Sequence, residues 1–331
     1  MSVDNQGSHE RMQPYGITIP FEGLPLAEQR ELVAGLPGLG YTDVWSSEAG
    51  GADAFTPLAL ASVWAPTLRL GTAIAPVFTR GPATLAQCAA TLAAAAPGRF
   101  TLGIGASSDV IVERWNGLQF DRPYQRVRDT ARFLRMALSG GKVAERYPTF
   151  AVDGFRLQLV PERPPALLIA ALRPGMLRLA GRESDGAVLT WLSADDVRTV
   201  APYVHEAGPG RQVVARIYVA ATGDAEAGRA VARRAIAAYL TVPVYRAFHT
   251  WLGRGEKLAA MWRAWEAGDR KGALAAIPDE VVDELVVHGP PERCREQVAR
   301  YVEAGVTTPI VGLLPTGGDV RELVRALAPS R

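Results

Sequence analysis

Eight short apolar runs, separated by stretches with helical periodicity, constrain the fold of this chain more than any other feature. Strands buried on both faces appear as continuous apolar segments, and helical crossovers between them imply parallel pairing. Eight strand-then-helix units within 331 residues predict a parallel (β/α)8 barrel, a TIM barrel, with an open doubly wound sheet plus a helical domain as the alternative. The predicted strands cover residues 15–21, 42–48, 68–77, 100–107, 165–172, 186–192, 213–221 and 309–314.

Two insertions interrupt this alternation. Residues 142–160 contain alternating residues around Asp153-Gly154, which predicts a β-hairpin that turns at this pair. Residues 225–286 are mostly helical and too long for a single crossover. This second insertion contains aromatic residues at helical spacing, which we interpret as core contacts, with a lid over a substrate pocket as the alternative. They are Phe248, Trp251, Trp262 and Trp265. We expect a polar tail over residues 1–13 and one domain over 14–331.

The composition indicates an ordinary soluble globular protein. Hydrophobic residues make up 48% of the chain and charged residues 21%, and 36 basic against 34 acidic residues leave a formal charge of +2. This evenly spread, nearly neutral charge argues against a nucleic-acid or membrane partner. Two isolated cysteines, Cys88 and Cys294, give neither a disulfide framework nor a metal-binding pattern. With no signal-peptide pattern near the N-terminus, they favour the cytoplasm.

In a barrel of this kind the chemistry takes place at the carboxyl ends of the strands, so the residues after each apolar run are the candidates. Small and polar residues predominate there, with no histidine or cysteine and few carboxylates. Such a set suits metal-dependent hydrolysis poorly, and no metal site is predicted. These residues fit hydride transfer, because that chemistry requires a binding surface for an organic cofactor more than it requires nucleophilic side chains. The segments are Phe21-Glu22-Gly23, Ser46-Ser47-Glu48, Ala73-Ile74-Ala75-Pro76, Phe78-Thr79-Arg80, Gly105 to Asp109, Leu172 to Gly175 and Thr190-Trp191.

Two of these regions have features of anion-binding loops. Gly103-x-Gly105 lacks the third glycine of a dinucleotide fingerprint, so we interpret it as a turn whose N–H groups and nearby serine hydroxyls can face an anion. Arg173-Pro174-Gly175 precedes a helical pattern. A helix start directly after a barrel strand is either a phosphate site or an ordinary loop with a helix-starting proline, and both interpretations stay open. Ser107-x-Asp109 has no histidine placed to complete a hydrolytic triad.

Four motifs, in order along the chain, resemble those of the luciferase-like family. They are Leu70-Gly71-Thr72-Ala73-Ile74-Ala75 with Phe78-Thr79-Arg80-Gly81-Pro82-Ala83, then Gly98-Arg99-Phe100-x-Leu102-Gly103-x-Gly105, Ala180-Gly181-x-x-x-Asp185-Gly186, and Gly289-Pro290-Pro291-Glu292. The similarity spans nearly the whole chain. The chain most resembles the branch that uses coenzyme F-420, a deazaflavin hydride carrier, as methylenetetrahydromethanopterin reductase and the F-420-dependent glucose-6-phosphate dehydrogenases do.

The resemblance implies a set of site residues. The deazaflavin ring would rest on Ala73-Ile74, where the family often has a non-prolyl cis peptide, and Ala171 to Arg173 would match the phosphate-binding stretch. The residues expected to bind the cofactor are Ser47, Ala73, Ile74, Ala75, Gly105, Ala106, Ser107, Asp109, Ala171, Leu172, Arg173, Gly175 and Thr190, and those expected in the substrate pocket are Phe21, Phe78, Trp115 and Trp191.

The expected acid–base group is Glu48 or Glu22. The sugar-phosphate dehydrogenases of this branch carry an Asp-His pair where this chain has Glu48-Ala49. The imidazole base is therefore absent, and oxidation of glucose 6-phosphate is disfavoured. Glu22 would match the pocket acid of that subgroup. For each carboxylate the alternative is a structural role, in which it caps a turn or pairs with Arg80.

These features predict an F-420-dependent reductase or dehydrogenase that moves a hydride at the deazaflavin C5 to or from a small organic substrate. The alternatives are an FMN-dependent monooxygenase on the same barrel and a flavin-binding barrel without catalysis. We further expect a cytoplasmic homodimer.

Overall fold

Eight parallel strands close into a barrel in the computed structural model, which describes residues 13–329. The strands of the chain are β1 Gly16–Thr18, β2 Asp43–Ser46, β3 Arg69–Thr72, β4 Ala75–Pro76, β5 Phe100–Gly105, β6 Val143–Arg146, β7 Ala151–Phe155, β8 Ala166–Ala170, β9 Gly186–Thr190, β10 Gln212–Ala221, β11 Val287–Gly289 and β12 Thr308–Leu313. The barrel order is β1, β2, β3 with its continuation β4, β5, β8, β9, β10 and β12, and β12 pairs with β1 to close it. The predicted TIM barrel is confirmed.

Helices follow the strands and form the outer layer. They are α1 Arg30–Leu39, α2 Thr56–Trp64, α3 Pro82–Ala95, α4 Pro123–Leu138, α5 Pro174–Glu183, α6 Ala194–His205, α7 Ala225–Leu240, α8 Pro243–Trp251, α9 Gly255–Glu266, α10 Arg270–Ala275, α11 Asp279–Leu285, α12 Pro291–Glu303 and α13 Val320–Ala326. Several begin with proline, whose fixed φ suits the first helical turn and whose missing N–H is not needed there. Across residues 13–329 no helix is long and apolar enough to cross a bilayer. Most of the predicted tail, residues 1–12, lies outside the described residues.

The strands β6 and β7 form an antiparallel hairpin, and its turn is not at the predicted pair. The Tyr147 N–H donates to Phe150 O at 2.8 Å, so the chain reverses between these two residues, over Pro148 and Thr149. Asp153 and Gly154 lie inside β7. Gly154 has a φ of +77° and stands opposite a register shift, so the Asp-Gly pair forms a β-bulge rather than the turn.

Helices α7 to α11 account for most of residues 225–286 and pack on one side of the barrel. Their core joins Trp262 and Leu258 of the insertion to Trp191 and Tyr218 of the barrel. Phe248 and Trp262 are buried, as expected for core contacts. The short strand β11, which follows α11 and pairs with β10, was not predicted from the sequence.

A buried arginine fixes the insertion to the barrel helices. Arg254, which is 6% exposed, lies at the start of α9. Its guanidinium pairs with Asp196 of α6 at 2.9 Å and with Glu284 of α11 at 2.7 Å. Because these contacts join three separate elements, they hold the insertion in one position against the barrel.

The barrel interior is filled beneath its mouth. Trp45 lies there with a small apolar cluster, and Ala73 and Ile74 pack on top of it; the cluster consists of Leu168, Val188, Val214 and Ile310. Two glycines make room for the indole: a Cβ on Gly71 would lie 2.2 Å from Trp45 Cε3, and one on Gly16 would lie 2.9 Å from Cδ1. The packed interior therefore ends at the Ala73-Ile74 segment, above which the barrel opens.

Candidate active site

A cavity of about 960 Å³ opens at the carboxyl ends of the barrel strands. Its walls come from the loops after β2, β5 and β8, from the segment between β3 and β4, from β9 and β10, and from α7 and α8 of the helical insertion. The predicted site residues that line it are Ser47, Glu48, Ala73, Ile74, Ala106, Ser107, Trp115, Ala171, Leu172, Arg173, Gly175 and Thr190. Residues far apart in the sequence thus meet in one space.

The floor of the cavity is the Ala73-Ile74 segment. The peptide bond between these residues is cis, which confirms the prediction from the family resemblance. The ladder between β3 and β5 ends at Gly71 and resumes through β4 at Ala75, so the segment leaves the sheet between them. The Thr72 hydroxyl fills this gap: it donates to Gly103 O and accepts from Gly103 N–H, both at 2.8 Å.

The two glycines of Gly103-x-Gly105 have a packing role. Both lie within β5, so the predicted anion-facing turn is wrong for these residues. A Cβ on Gly103 would lie 2.0 Å from Thr72 O, and one on Gly105 would lie 3.0 Å from Ile74 Cδ1. The missing side chains let the segment before β4 approach β5 closely. The residues beyond them, Ser107 and Ser108, do line the cavity.

Several predicted site residues lie outside the cavity lining; they are Phe21, Glu22, Ala75, Phe78, Gly105, Asp109 and Trp191. Phe21 is buried in the main core, and Gln29 bonds both its N–H and its carbonyl. Phe78 packs on Phe120 with ring centroids 5.0 Å apart. Glu22 is exposed and Ala75 is buried in β4. Trp191 supports the wall from behind, because it stacks at 4.2 Å on Tyr218, which does line the cavity.

Glu48 lines the cavity, and both of its carboxylate oxygens are engaged. Arg80 Nε lies 3.1 Å from Oε1, Arg80 Nη2 donates to Oε2 at 2.7 Å, and the Ala54 N–H donates to Oε2 at 3.0 Å. Burial acts to lower the pKa of Arg80, but the hydrogen bond to Glu48 and the charge of its carboxylate raise it overall. The pairing with Arg80 is therefore present in the structure, while proton transfer by Glu48 stays a prediction.

The rim of the cavity has an anion-binding character at the start of α5. Arg173 precedes the helix, Pro174 takes its first position, and Gly175 and Met176 follow; all four line the cavity. The first N–H groups of a helix have no partner within it, and the helix dipole adds positive potential there. This end of the cavity can therefore hold a phosphate or carboxylate.

One wall of the cavity was not predicted from the sequence; it is formed by Arg216, Tyr218, Tyr239 and Tyr245. Alternate residues of β10 point into the barrel, and this places Val214, Arg216 and Tyr218 on the inner face. A charged residue at an inward position of an otherwise apolar strand was the available signal. The two tyrosines from α7 and α8 gave none, because their place in the wall depends on how the insertion packs.

Comparisons with known proteins agree with this fold. The sequence pattern of the luciferase-like monooxygenase family matches residues 4–308. A Mycobacterium tuberculosis protein with the provisional name of a coenzyme F-420-dependent oxidoreductase is 28% identical over 92% of this chain and 94% of its own length. The 5,10-methylenetetrahydromethanopterin reductase of Archaeoglobus fulgidus is 25% identical over 82% of this chain and 85% of its own.

The structural comparison extends over almost the entire chain. An F-420-dependent secondary alcohol dehydrogenase, solved with an F-420–acetone adduct, superposes with a TM-score of 0.79 at 17% identity and covers 96% of this chain and 97% of that one. At this identity the match shows the fold. Since the family pattern covers most of the sequence, the chain belongs to the luciferase-like monooxygenase family.

Proposed function

We propose that this protein is an F-420-dependent oxidoreductase that transfers a hydride between the deazaflavin and a small organic substrate. The observation that carries the proposal is the cavity at the barrel mouth, which is lined both by the Ala73-Ile74 floor and by the cationic rim at Arg173. Relatives named for F-420 that match this chain over most of its length support the choice of cofactor.

The residues of the cavity fit a planar ring with an anionic tail. Ala73, Ala106, Ala170 and Ala171 present only methyl groups, so a flat ring can approach the backbone closely. At the rim, Arg173 and the first turn of α5 offer a positive charge and N–H donors, which favour a phosphate. When bound, coenzyme F-420 would supply a carbon that accepts or releases a hydride, a reaction that protein side chains do not provide.

The chain's own residues would exclude water, position the substrate and handle the proton. Val242, Val244 and Trp251 of the helical insertion cover one side of the cavity with apolar surface. Among the described residues that line the cavity, Glu48 carries the sole carboxylate. We propose that one of its oxygens takes or gives the substrate proton, while Arg80 and the Ala54 N–H hold it in place.

Direct titration tests the choice of cofactor. We expect F-420 to bind at least about tenfold more tightly than FMN, and added salt to weaken F-420 binding, because screening reduces the attraction between the tail and the cationic rim. Fluorescence quenching measures both affinities. Equal or tighter binding of FMN, with oxygen consumption in the presence of FMN and NADH, would support a monooxygenase instead.

Paired carboxylate variants test catalysis. Glu48→Gln is expected to lower turnover of F-420 on a panel of carbonyl, imine and alcohol substrates by more than it lowers F-420 affinity. Glu22→Gln is the matched control, because Glu22 is exposed and outside the lining. Wild-type turnover by Glu48→Gln would remove Glu48 as the acid–base group. Tight F-420 binding by the wild-type protein without turnover of any substrate would support a non-catalytic binding barrel.

We also propose that the protein is a cytoplasmic homodimer. Both cysteines are free, and burial raises the pKa of the Cys294 thiol to about 11, as suits an unreactive thiol in a reducing compartment. Light scattering measures the mass in solution, and cell fractionation locates the protein. A monomeric mass at micromolar concentration would contradict the dimer.

A further inference from the structure

The inner end of the cavity contains a guanidinium to which none of the described residues offers a carboxylate partner. Arg216 projects from β10 into the barrel mouth, and its Nη1 donates to Ser47 Oγ at 3.3 Å. Its Nε is buried without a hydrogen-bond partner and lies over β12, where a Cβ on Gly312 would be 3.2 Å away. No Asp or Glu in residues 13–329 forms an ion pair with it. The carboxylate that follows Ser47, Glu48, is held by Arg80.

The groups around Arg216 add donors and aromatic surface. Its Cζ lies 5.0 Å from the ring centroid of Tyr218, and the Tyr218, Tyr239 and Tyr245 rings follow one another at 6.1 and 5.9 Å. The hydroxyl of Tyr218 and then burial raise the pKa of Tyr239, and burial above all raises that of Tyr245. These hydroxyls therefore stay protonated. On the neighbouring strand, in register with Arg216, Thr190 also has a buried hydroxyl without a partner.

A positive charge in an apolar cavity is costly unless an anion accompanies it. The part of the chain that the structure describes supplies hydroxyl donors and no carboxylate to Arg216, so we infer that a ligand carries the missing acceptor. The cofactor's anionic tail already has a place at the rim, where Arg173 and α5 stand after β8. Arg216 stands on β10 beneath the tyrosines of the helical insertion.

We propose that Arg216 anchors the substrate, and that the substrate is an apolar organic anion whose oxyanion, such as a carboxylate, binds the guanidinium with the Thr190 and tyrosine hydroxyls around it. The aromatic wall would hold the apolar body. This inference deepens the proposed function and rests on it. Arg216 acts as a specificity-determining residue, because it selects a charged acid over the neutral compound of the same shape.

Matched acids and amides test the selection. The protein, with and without saturating F-420, is titrated calorimetrically with benzoate and naphthoate and with benzamide and naphthamide. A charge-assisted hydrogen bond contributes about 1.5–3 kcal/mol, so we expect at least one acid to bind about tenfold or more tightly than its amide. Arg216→Met is expected to reduce this preference to about twofold, and Arg216→Lys, which keeps the charge without the planar fork, is expected to be intermediate.

The control is Arg263→Met, which removes an exposed arginine from α9, a helix with no residue in the cavity lining. It is expected to keep the wild-type preference. No preference for either acid in the wild-type protein, or a preference that survives Arg216→Met, would overturn the proposal. It would also be overturned if Arg216→Met lowered F-420 affinity by about tenfold, because Arg216 would then hold the cofactor. Since the acids are also tested without F-420, a failure of F-420 binding is a separate result that concerns the proposed function alone.

Discussion

Gly71→Ala is expected to destabilise the protein through Trp45. The new methyl carbon would lie 2.2 Å from Trp45 Cε3 and 2.3 Å from Cζ3, far inside the roughly 3.5 Å at which carbon atoms make contact. The ring is 3% exposed, and on its opposite side Cδ1 already lies close to the backbone of Gly16. The indole cannot retreat without moving a barrel strand.

Overpacking of this kind costs about 1–3 kcal/mol, and we expect a value near 2 kcal/mol. An unfolding entropy of about 2.1 cal/mol/K per residue amounts to about 0.7 kcal/mol per degree for this chain, so Tm should fall by about 3 °C. Thermal unfolding followed by circular dichroism measures the shift. Because Ala73 and Ile74 pack on Trp45, F-420 affinity should fall as well.

A double-mutant cycle identifies the cause. In a Trp45→Leu background the ring is gone, so Gly71→Ala should cost less than about 0.5 kcal/mol, with a coupling energy of about 1–2 kcal/mol. Gly35→Ala is the control: Gly35 is exposed in α1 with no atom within 4 Å of the added carbon, and alanine there should raise Tm slightly. An unchanged Tm for Gly71→Ala, or the same loss with and without the indole, would refute the reasoning.

Three further changes have defined outcomes. Ala73→Leu places a branched side chain on the cavity floor, so it should weaken F-420 binding by more than about tenfold without lowering Tm. Fluorescence titration measures the affinity, and a wild-type value would contradict the placement of the cofactor ring on this floor. Burial, and then the charge of Arg254, lower the pKa of His249 to about 3. The imidazole of the unfolded chain binds its proton near pH 6.5, so the stability of the folded protein is complete above that pH and falls as pH drops toward 3. The variant His249→Leu should therefore show a smaller difference in Tm between about pH 7.5 and about pH 5 than the wild-type protein. An unchanged difference would exclude His249 as the cause of the pH dependence. Arg254→Met leaves Asp196 buried beside an apolar side chain and should lower the free energy of unfolding, measured with denaturant, by about 3 kcal/mol. Arg198→Met, which removes an exposed ion pair with Asp195, should lower it by less than about 1 kcal/mol. Equal losses in the two variants would contradict a stabilising role for the buried pair.

The sequence predicted the barrel because its signals are local. The run at 100–107 is mostly apolar, and its first six residues become β5, a strand that is buried except at Thr101. The start of a helix could also be predicted where a proline precedes a stretch with helical periodicity, as at Pro174 of α5. Once eight such units are recognised, the rule that barrel chemistry lies at the carboxyl ends of strands is enough to find Ser47, Ala73, Ser107 and Arg173.

Signals that depend on a partner were misread or missed. The Asp153-Gly154 pair has the composition of a hairpin turn, but the turn forms at Pro148 and the pair becomes a bulge, because β7 pairs with β6 in a register that the local pattern does not specify. Gly103 and Gly105 have the composition of a loop, yet they are required because neighbouring segments approach closely: Thr72 lies against Gly103, and Ile74 and Ala170 lie against Gly105.

By itself, then, the sequence predicted the barrel and the end at which the candidate site lies, because burial and periodicity are recorded along each segment. Only the tertiary structure decided what the site contains. It paired Glu48 with Arg80, 32 residues away, and it placed Arg216 beside three tyrosines without a carboxylate partner among residues 13–329. These outcomes depend on barrel closure and on the packing of the helical insertion, which bring together charges and hydroxyls that no short stretch of sequence relates to one another.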